Sequence, residues 1–529
     1  MSAKQQTYFA CSAPPCPNGK LHLGHIGGVY LLTDVFVRYQ RMVGNTAYHV
    51  TGADEHGTYT LLKARKLGRP VDDVAQMHID EILHCLRVVD IEPDVFVRTS
   101  SEDHKERSLA IYDQLRASGN IELRDGEQLY CETCGEFAAD SLAIGRCPAC
   151  NAETDSNLCE VCGLALQHNL LHNPIHTACG CSLILRPIRQ VHFNLKKFAP
   201  ALDDAIETSR WPETIKCKEH DWLRTKLRSL PMSRHFDRGV TLSSPPDVAG
   251  QTLLTWFEGL WCYETGIERI CKQNGADLDG IMREPDTKLV FFMGQDNRFY
   301  YTIGVTAGLF ARGYAIPDNH AIQDFYKLES AKFSTGRDHA LWADEVVADI
   351  DTNVLRYYLA SIAKPFGRND NNFLIEGLVQ AAVRIDAFET ALRRHAGYNE
   401  TLGVDKLTRE QNHNAKRYCE AMEDTRVWDA LNALNAFFDA ASFSRTGTLV
   451  SATEISVFLS LLYPVTPTLA ARYGACFFGT GWRPGFYDDP IQPSSGSRKP
   501  IDFARFAHPV PAAFIAAYEK RFRQPQPEA

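Results

Sequence analysis

The sequence lacks any long apolar run, and this absence excludes a membrane-spanning helix. A bilayer-crossing helix needs about 20 consecutive apolar residues, and no such stretch occurs in the 529 residues. Residues 1–7 are polar and lack the apolar core that a secretory signal requires. We therefore expect a cytoplasmic protein with no membrane partner.

The chain also lacks an excess of positive charge. Its 56 Lys and Arg are outnumbered by 65 Asp and Glu, which gives a net charge of −9. No global basic field is therefore available to bind nucleic acid, although local patches on an acidic chain can still bind RNA. Internal repeats and low-complexity blocks are absent as well. At this length we expect roughly two to four domains.

Cysteine, in contrast, is abundant, and half of the 16 cysteines fall in one short stretch. In a cytoplasmic protein this density indicates metal binding rather than disulfides. Two residues between a pair of thiols let both sulfurs point at one Zn²⁺, and two such turns complete a tetrahedron. The candidate ligands are Cys131, Cys134, Cys147, Cys150, Cys159, Cys162, His176, Cys179 and Cys181.

The spacing of these ligands predicts one or two structural zinc ions. The two middle cysteine pairs are nearest to each other and should share one ion, so the first pair should join the last group. Imidazole can replace a thiolate in that group, and either His176 or Cys181 could complete it. Four protein ligands leave no open position for water, so the ions should stiffen the segment rather than catalyse a reaction.

Two short segments, far apart in the chain, have the residue types of a nucleotide site. Residues 22–25, H-L-G-H, predict a helix start with both histidines on one face, where both could donate to one phosphate. Residues 332–336, K-F-S-T-G, are a short polar segment that carries a lysine cation. Taken alone, each segment could equally be a solvated turn with ordinary surface side chains.

The pattern along the chain predicts an α/β domain in two halves, followed by helices. Strands are predicted at 8–12, 46–51 and 289–293, and parallel sheets bind ligands in the loops at such strand ends. A helix is predicted after the first loop through Gly44, and Val383, Ile385, Phe388 and Leu392 suit an amphipathic helix of a bundle. We expect these regions: 1–117 and 231–325 as the two halves of a catalytic domain, 118–230 as a zinc-binding insertion, 326–381 as a connecting region, and 382–529 as a helical bundle with a loop-rich tail.

Further segments match one known family in order and spacing. They are P-N-G at 17–19, D-V-F-V-R-Y-Q-R-M at 34–42, A-D-E-H-G-T at 53–58, T-W-F at 255–257, G-Q-D-N at 294–297 and R-Y-Y-L at 356–359. With the two signatures and the cysteine pairs, the chain resembles the methionyl-tRNA synthetases, which are class I synthetases, over nearly its whole length. The resemblance implies a Rossmann-type catalytic domain with a zinc-binding insertion and a C-terminal α-helical bundle, an amino acid as substrate, and ATP, Mg²⁺ and Zn²⁺ as cofactors.

The resemblance also implies roles for single residues. The catalytic set would be His22, His25, Lys332 and Ser334. The ATP-binding set would be Gly24, Gly294, Asp296, Lys332 and Thr335, where Thr335 stands in place of the family's second loop lysine and should slow the reaction. The amino-acid-binding set would be Ala13, Cys16, Asp54, Trp256, Gly259, Leu260, Tyr263, Asn297 and Tyr301, with Asp54 as the anchor of the ammonium group.

The departures from the family concentrate in the amino-acid pocket. Cys16, Gly259, Leu260, Tyr301 and Val305 replace the usual pocket residues. Several simultaneous changes of size and polarity should reshape a slot made for a flexible thioether, so we expect a small or polar amino acid rather than methionine. The alternative is compensated drift within a methionine pocket, since cores tolerate volume-preserving swaps.

The helical region departs from the family too. Its first helix offers Thr390 and Arg394, and no tryptophan stands near Phe443 and Ser444, where the family stacks an anticodon base. We therefore expect the acceptor to be a hydroxyl or hydroxylamine of a small molecule, with a separate cupin as a possible partner. The alternatives are an ordinary methionine–tRNA ligase and a tRNA-binding paralogue without catalysis.

Overall fold

The structure is a computed structural model that describes residues 5–156, 159, 166, 170–225, 229–333, 339–396, 406–445, 451–485 and 509–523. Three residues singled out by the sequence, Cys162, Ser334 and Thr335, lie outside the described residues. None of the helices in the described part of the chain is both long and apolar enough to cross a bilayer.

The first segment of the chain alternates strands and helices. Its elements are β1 (Thr7–Ser12), α1 (Leu23–His25), α2 (Leu31–Met42), β2 (Thr46–Ala53), α3 (Thr58–Leu67), α4 (Val71–Arg87), β3 (Val95–Arg98) and α5 (Glu102–Ala117). A π-helical stretch, Ile26–Tyr30, joins α1 to α2. The helix predicted through Gly44 therefore ends at Met42.

The cysteine-rich segment forms a long antiparallel ribbon with a small sheet at its tip. Its elements are β4 (Ile121–Cys131), β5 (Glu136–Phe137), β6 (Ala143–Arg146), β7 (Glu153–Asp155), β8 (His172–His176), β9 (Ile184–Phe193), α6 (Ala199–Thr208) and α7 (Glu213–Thr225). The ribbon pairs β4 with β9, and the tip sheet has the order β7-β6-β8. The tip has a small hydrophobic core of its own, separate from the two large ones.

The chain then returns to complete the central sheet. The elements are β10 (Leu230–Pro231), β11 (Ser233–Arg234), β12 (Thr252–Leu253), α8 (Thr255–Glu258), α9 (Cys262–Gln273), α10 (Leu278–Arg283), β13 (Thr287–Gly294), α11 (Thr306–Ala311) and β14 (Asn319–Gln323). A second π-helical stretch, Tyr300–Val305, precedes α11. π-Helical turns are rare and are frequently found at functional sites.

All five strands of the central sheet are parallel, in the order β14-β13-β1-β2-β3. The chain runs outward from β1 in one direction through β2 and β3, and later in the other direction through β13 and β14. The strand order therefore reverses beside β1, and ligands of open α/β sheets bind at such a switch point, beyond the carboxyl ends of the strands. The three strands predicted from the sequence all lie in this sheet.

A connecting region and a helical bundle follow. The connecting region contains β15 (Lys327–Leu328), β16 (Ala331–Lys332), α12 (Ala343–Val346), α13 (Thr352–Ser361) and β17 (Asn372–Phe373). The later helices are α14 (Ile375–Ala396), α15 (Arg409–Glu423), α16 (Val427–Ala440), α17 (Ala452–Leu462), α18 (Pro467–Phe478) and α19 (Ala512–Phe522).

Two details of this part of the chain differ from the expectations. The first bundle helix begins at Ile375, and Val383 does not face the core, because 65% of its surface is exposed. The tail expected to be loop-rich contains α19, whose Phe514, Ile515 and Phe522 pack against the main core beside the buried Tyr518. The spacing of these apolar residues is helical, so the sequence did contain the signal.

The bundle is continuous with one face of the catalytic sheet, since both contribute to one hydrophobic core. Arg356, on α13, is completely buried at this junction. Its guanidinium donates to Asp34 Oδ2 at 2.6 Å and to the carbonyl oxygens of Val465 and Val89 at 2.7 and 2.8 Å. This bonding supports a buried charge and ties α13 to α2 on one side and to the bundle on the other.

Candidate active site

The two signature segments meet at the carboxyl edge of the sheet. His22 and His25 stack with ring centroids 3.7 Å apart and an interplanar angle of 8°. The Phe333 ring lies 5.1 Å from the His22 ring, and a Cβ placed on Gly24 would come within 3.3 Å of the Phe333 side chain. The residue next to Lys332 thus packs directly against the paired histidines. The sequence predicted this meeting of two distant segments.

His22 itself differs in one respect from the prediction. It precedes α1 as the N-cap instead of lying within the helix, and its Nδ1 accepts a hydrogen bond from the His25 N–H at 3.2 Å. The backbone turn from cap to helix still places both rings on the same side. Their stacking keeps the two imidazoles together at a helix N-terminus, where backbone N–H groups favour an anion.

Both histidines are held in the neutral form. Burial, followed by the nearby Lys332 cation, lowers the pKa of His25 to about 4. Burial, the neighbouring His25 and Lys332 also lower the pKa of His22. At neutral pH the pair can therefore offer N–H donors without carrying charge, while Lys332 supplies the cation. The Lys332 Nζ lies 3.9 Å from the centroid of the Phe325 ring.

Asp54 lies at the loop after β2, as predicted, with its neighbours packed closely around it. A Cβ on Gly57 would lie 3.1 Å from Cys16 Sγ and 3.3 Å from Asp54 Oδ2, and a Cβ on Gly259 would lie 4.0 Å from Asp54 Oδ1. The backbone N–H of Asp54 donates to the Pro15 carbonyl oxygen at 3.0 Å. Cys16, Asp54 and Gly259, three of the predicted amino-acid contacts, are therefore brought together.

The Asp54 carboxylate is short of partners. Within the described residues, nothing hydrogen-bonds to its buried Oδ1. Burial, followed by the charge of Glu258, raises the pKa of Asp54 to about 7. A buried carboxylate with an unsatisfied oxygen is unfavourable unless a cation or donor pairs with it, so the site is suited to an ammonium group.

A buried network behind Asp54 was missed by the sequence analysis. Glu258, completely buried, bonds His56 Nδ1 at 2.8 Å and His104 Nε2 at 2.9 Å, and His104 Nδ1 lies 3.0 Å from Thr265 Oγ1. Burial opposes the charge on Glu258, yet the two histidines hold its pKa at about 2. An acidic residue within an apolar stretch, next to Trp256 and Phe257, was the available signal.

Aromatic rings form a wall near Asp54, whose charge acts on Tyr301. Tyr263 and Tyr301 contact the Phe291 ring with centroid distances of 4.9 and 5.2 Å, and Trp256 stacks on Tyr300 at 5.5 Å. Leu260 is buried and lies beside Gly304, where an added Cβ would be 4.0 Å from its Cδ1.

The Tyr263 hydroxyl is buried and has no hydrogen-bond partner among the described residues. A buried phenol normally finds one. Val305 is buried as well, in the same hydrophobic cluster as Trp261, and a Cβ on Gly308 would lie 2.6 Å from Trp261 Cη2. Trp261 therefore packs against the helix one turn beyond Val305.

The remaining predicted contacts lie at the ends of β1 and β13. Ala13 donates its N–H to the Phe292 carbonyl oxygen at 3.0 Å, and its carbonyl accepts the Tyr30 hydroxyl at 3.1 Å. A Cβ on Gly294 would lie only 2.6 Å from Asp296 Oδ1, so the carboxylate folds back over this glycine and a side chain there would displace it. Asn297 Nδ2 donates to the same oxygen at 3.4 Å.

The first cysteine pair and the last group form one candidate metal centre. The ligand atoms of Cys131, Cys134, His176 and Cys179 lie within 4.8 Å of one another. Cys131 Sγ is 3.6 Å from Cys179 Sγ, and His176 Nδ1 is 3.5 and 3.3 Å from the sulfurs of Cys134 and Cys179. Three sulfurs and one imidazole nitrogen make a donor set that fits tetrahedral Zn²⁺.

Cys181, proposed as a competing ligand, is not part of this group. Its Sγ lies 3.8 Å from the Cys179 carbonyl oxygen, and the group whose ligand atoms lie within 4.8 Å of one another does not include it. His176 takes the fourth position, and its Nε2 lies 3.3 Å from Glu136 Oε1. At this distance the carboxylate lies beside the ring nitrogen, which makes no hydrogen bond within the described residues.

Three of the four cysteines in the two middle pairs form a second group, in agreement with their spacing. Cys147, Cys150 and Cys159 offer sulfurs within 4.8 Å of one another, and Cys150 Sγ is 3.5 Å from Cys159 Sγ. The fourth predicted ligand, Cys162, lies outside the described residues. The same donor chemistry applies here, and the role would again be structural.

Comparison with known proteins places these observations in one family. A family model described as tRNA synthetases class I (M) matches residues 8–384. The methionine–tRNA ligase of Methanobrevibacter smithii is 32% identical over 353 residues, which are 66% of this chain and 53% of that protein. That of Christiangramia forsetii is 30% identical over 378 residues, 70% of this chain and 54% of that protein. The chain thus spans about half the length of the curated relatives it matches.

Two solved structures of Mycobacterium tuberculosis methionyl-tRNA synthetase with methionyl-adenylate have the same fold. One has a TM-score of 0.71 and covers 95% of this chain, and the other has a TM-score of 0.68 and covers 93%. Both match over 100% of their own chains at 18% sequence identity. The likeness therefore concerns the architecture of the sheet, the insertion and the bundle.

Proposed function

The chain belongs to the class I tRNA synthetases (M), and on this premise we propose that it activates an amino acid with ATP as an aminoacyl-adenylate. The observation that carries the proposal is the joining of the two distant signatures: His22 stacks on His25, and Phe333, next to Lys332, packs on His22. Asp54, with an unsatisfied carboxylate oxygen, lies after the neighbouring strand. A phosphate site and an ammonium site thus share one sheet edge.

The proposed reaction is an in-line displacement at the α-phosphorus of magnesium-bound ATP. An oxygen of the amino-acid carboxylate forms a bond to phosphorus, the bond to the bridging oxygen breaks, and pyrophosphate leaves with that electron pair. The neutral imidazoles of His22 and His25 donate N–H groups to phosphate oxygens, and the Lys332 ammonium offsets the charge on the leaving group. Ser334 and Thr335 remain expected contacts on the same loop, and Asp296 remains the expected partner of the ribose.

Asp54 would orient the amino acid. Its unpaired oxygen can accept from the substrate ammonium, and that cation would in turn favour the ionised carboxylate, whose pKa is raised to about 7 in the absence of substrate. Glu258, held by His56 and His104, adds negative potential behind it. These groups bind and position the substrate and take no part in bond making.

Methionine is the amino acid we propose. The relatives at 30 to 32% identity are methionine–tRNA ligases, and this supports the alternative of an ordinary methionine enzyme over the preference for a small polar substrate. The chemistry of the side chains near Asp54 also favours methionine. A thioether is apolar but its sulfur is a weak acceptor, so it suits the aromatic wall while offering a partner to the orphaned Tyr263 hydroxyl.

We propose tRNA as the acceptor, on the same family grounds, with the bundle as its binding region and the cytoplasm as the location. Nothing in the described residues or in the comparisons favours a hydroxylated small molecule or a cupin partner. Zinc at the two cysteine groups would stiffen the insertion without entering the chemistry. No group of the reacting centre described above comes from that insertion.

Amino-acid-dependent ATP–pyrophosphate exchange tests the proposal, with each of the twenty amino acids supplied in turn. We expect methionine to exceed every other amino acid by at least about tenfold in kcat/KM. If a small polar amino acid is preferred instead, the hypothesis that the pocket residues have been reshaped for such a substrate is supported over methionine. Absence of exchange with all twenty would overturn adenylation itself.

A further inference from the structure

The helix α19 lies against the hairpin that carries Lys332. Its buried Tyr518 packs on Phe373 of β17 with a centroid distance of 6.1 Å. Phe373 pairs in register with Leu328 of β15, and Lys327 of β15 pairs with Lys332 of β16. The last described helix therefore packs on β17, at one edge of a small three-stranded sheet, and the candidate catalytic lysine lies on β16, at the other edge.

Polar contacts from α19 converge on the turn of this hairpin. Glu329 and Ser330 form the turn, with φ of 47° and 69°, a left-handed conformation that non-glycine residues seldom adopt. The Tyr518 hydroxyl donates to Glu329 Oε1 at 2.7 Å, and Arg523 lies 2.8 Å from the same oxygen. The Arg523 guanidinium also binds Glu376 of α14 with two bonds of 2.5 and 2.7 Å.

α19 also contacts the chain beyond the signature loop. The Phe522 ring meets the His339 ring edge to face, with centroids 5.6 Å apart. His339 Nε2 lies 2.8 Å from the Leu328 carbonyl oxygen, so it is tied to the same hairpin. The helix thus touches both chain segments that flank the loop, Glu329 before it and His339 after it.

We propose that α19 is a clamp that holds Lys332 in register with the paired histidines, and that Tyr518 and Arg523 are positioning residues for adenylate formation. This inference rests on the proposed function, because it assigns Lys332 its part in that reaction. Lys332 is three residues beyond Glu329, on the strand that the turn directs. If the lysine ammonium that stabilises the leaving pyrophosphate is displaced by about 1 Å, the reaction rate can fall by a large factor.

The clamp should affect rate more than stability. Arg523 and Glu376 are partly exposed, and isolated exposed ion pairs contribute little to folding. These contacts act by fixing geometry, because the planar Arg523 guanidinium binds the carboxylates of Glu329 and Glu376 at once. A lysine could not make the same pair of contacts. We therefore expect Arg523→Gln and Tyr518→Phe to lower the kcat of pyrophosphate exchange by about tenfold, with the KM of the amino acid unchanged.

The decisive test is a double-mutant comparison. Arg523→Gln and Tyr518→Phe are measured in the wild-type chain and in Lys332→Ala, with Lys520→Gln as a matched loss of charge at an exposed position of the same helix. The clamp predicts the tenfold loss in the wild-type background, no further loss in Lys332→Ala, and a change below twofold for Lys520→Gln. Equal losses in both backgrounds, or no loss in the wild type, would overturn it.

Amide hydrogen exchange separates failure of the clamp from failure of the proposed function. In Arg523→Gln, amides of residues 327–333 should exchange faster than in the wild type, while those of α15 keep their rates. Unchanged exchange at 327–333 would refute the clamp whatever the enzyme catalyses. If the wild type shows no ATP–pyrophosphate exchange but the hairpin amides exchange hydrogen faster in Arg523→Gln, adenylation is refuted. The role of α19 in holding the hairpin is then still supported.

Discussion

The sheet-edge site and the cysteine-rich insertion use unsatisfied side chains in opposite ways. At the sheet edge, Asp54 Oδ1 and the Tyr263 hydroxyl are buried and have no hydrogen-bond partner in the part of the chain that the structure describes, inside a region stabilised by two large hydrophobic cores. In the insertion, the described candidate ligands of each centre lie within 4.8 Å of one another, around a core of few residues. The sheet edge keeps hydrogen-bonding groups available for a substrate, whereas the insertion is the region that a bound ion would stiffen.

The largest expected effect is at the paired histidines. His25→Ala should lower methionine-dependent pyrophosphate exchange by about 10²-fold, as for other removed transition-state donors, with zinc content unchanged. His84→Ala, an exposed histidine on α4, is the matched control and should keep the wild-type rate. Loss of zinc in His25→Ala would contradict the view that the sheet-edge site and the cysteine-rich insertion act independently.

The next effect is on amino-acid affinity. Asp54→Asn keeps the shape but removes the charge, so the KM for methionine should rise by ~10- to 100-fold, the range for a hydrogen bond to a charged group. The KM for ATP should stay within about twofold, because Asp54 lies on the amino-acid side. Equal changes in both KM values would indicate a general collapse of the site instead of a lost ammonium anchor.

The raised pKa of Asp54 gives a pH dependence of defined sign. Only the ionised carboxylate pairs with an ammonium, and its pKa is about 7 in the empty site. The KM for methionine should therefore fall as pH rises from 6 to 8, which the KM measured at several pH values will record. In Asp54→Asn the KM should be flat over this range, and a slope that persists there would assign the titration to another group.

The insertion should respond to its own substitutions and leave the chemistry nearly intact. Cys134→Ser should remove one zinc ion per chain and lower the temperature at which the insertion unfolds, with pyrophosphate exchange within about threefold of wild type. Cys181→Ser is the matched control and should keep every ion, since its sulfur lies outside the group. Zinc loss in Cys181→Ser with retention in Cys134→Ser would reverse the ligand assignment.

Sequence reasoning was accurate where chemistry dictates spacing. The fold class, the three strands and the pairing of cysteines followed from local rules, and the family's order of motifs joined His22 to Lys332. It failed where the partner of a residue lies far along the chain. No residue near Glu258 in the sequence indicates that His104 is its partner. Similarly, the exposure of Val383 depends on which face of α14 the other helices cover.

The choice between His176 and Cys181 shows the same limit from another side. Both have ligand chemistry and both lie within three residues of Cys179, so spacing alone left both residues open. The structure groups His176 with Cys131, Cys134 and Cys179, and Cys181 is not in that group. His176 therefore stays the proposed fourth ligand, and this preference depends on where each side chain lies in the fold rather than on spacing.

The central claim is that two distant signatures make one adenylation site, and Lys332→Ala tests it most directly. Methionine-dependent ATP–pyrophosphate exchange should proceed in the wild type and fall by about 10²-fold in the variant, with equal zinc content and equal thermal unfolding. Exchange at the wild-type rate in folded Lys332→Ala would contradict the account.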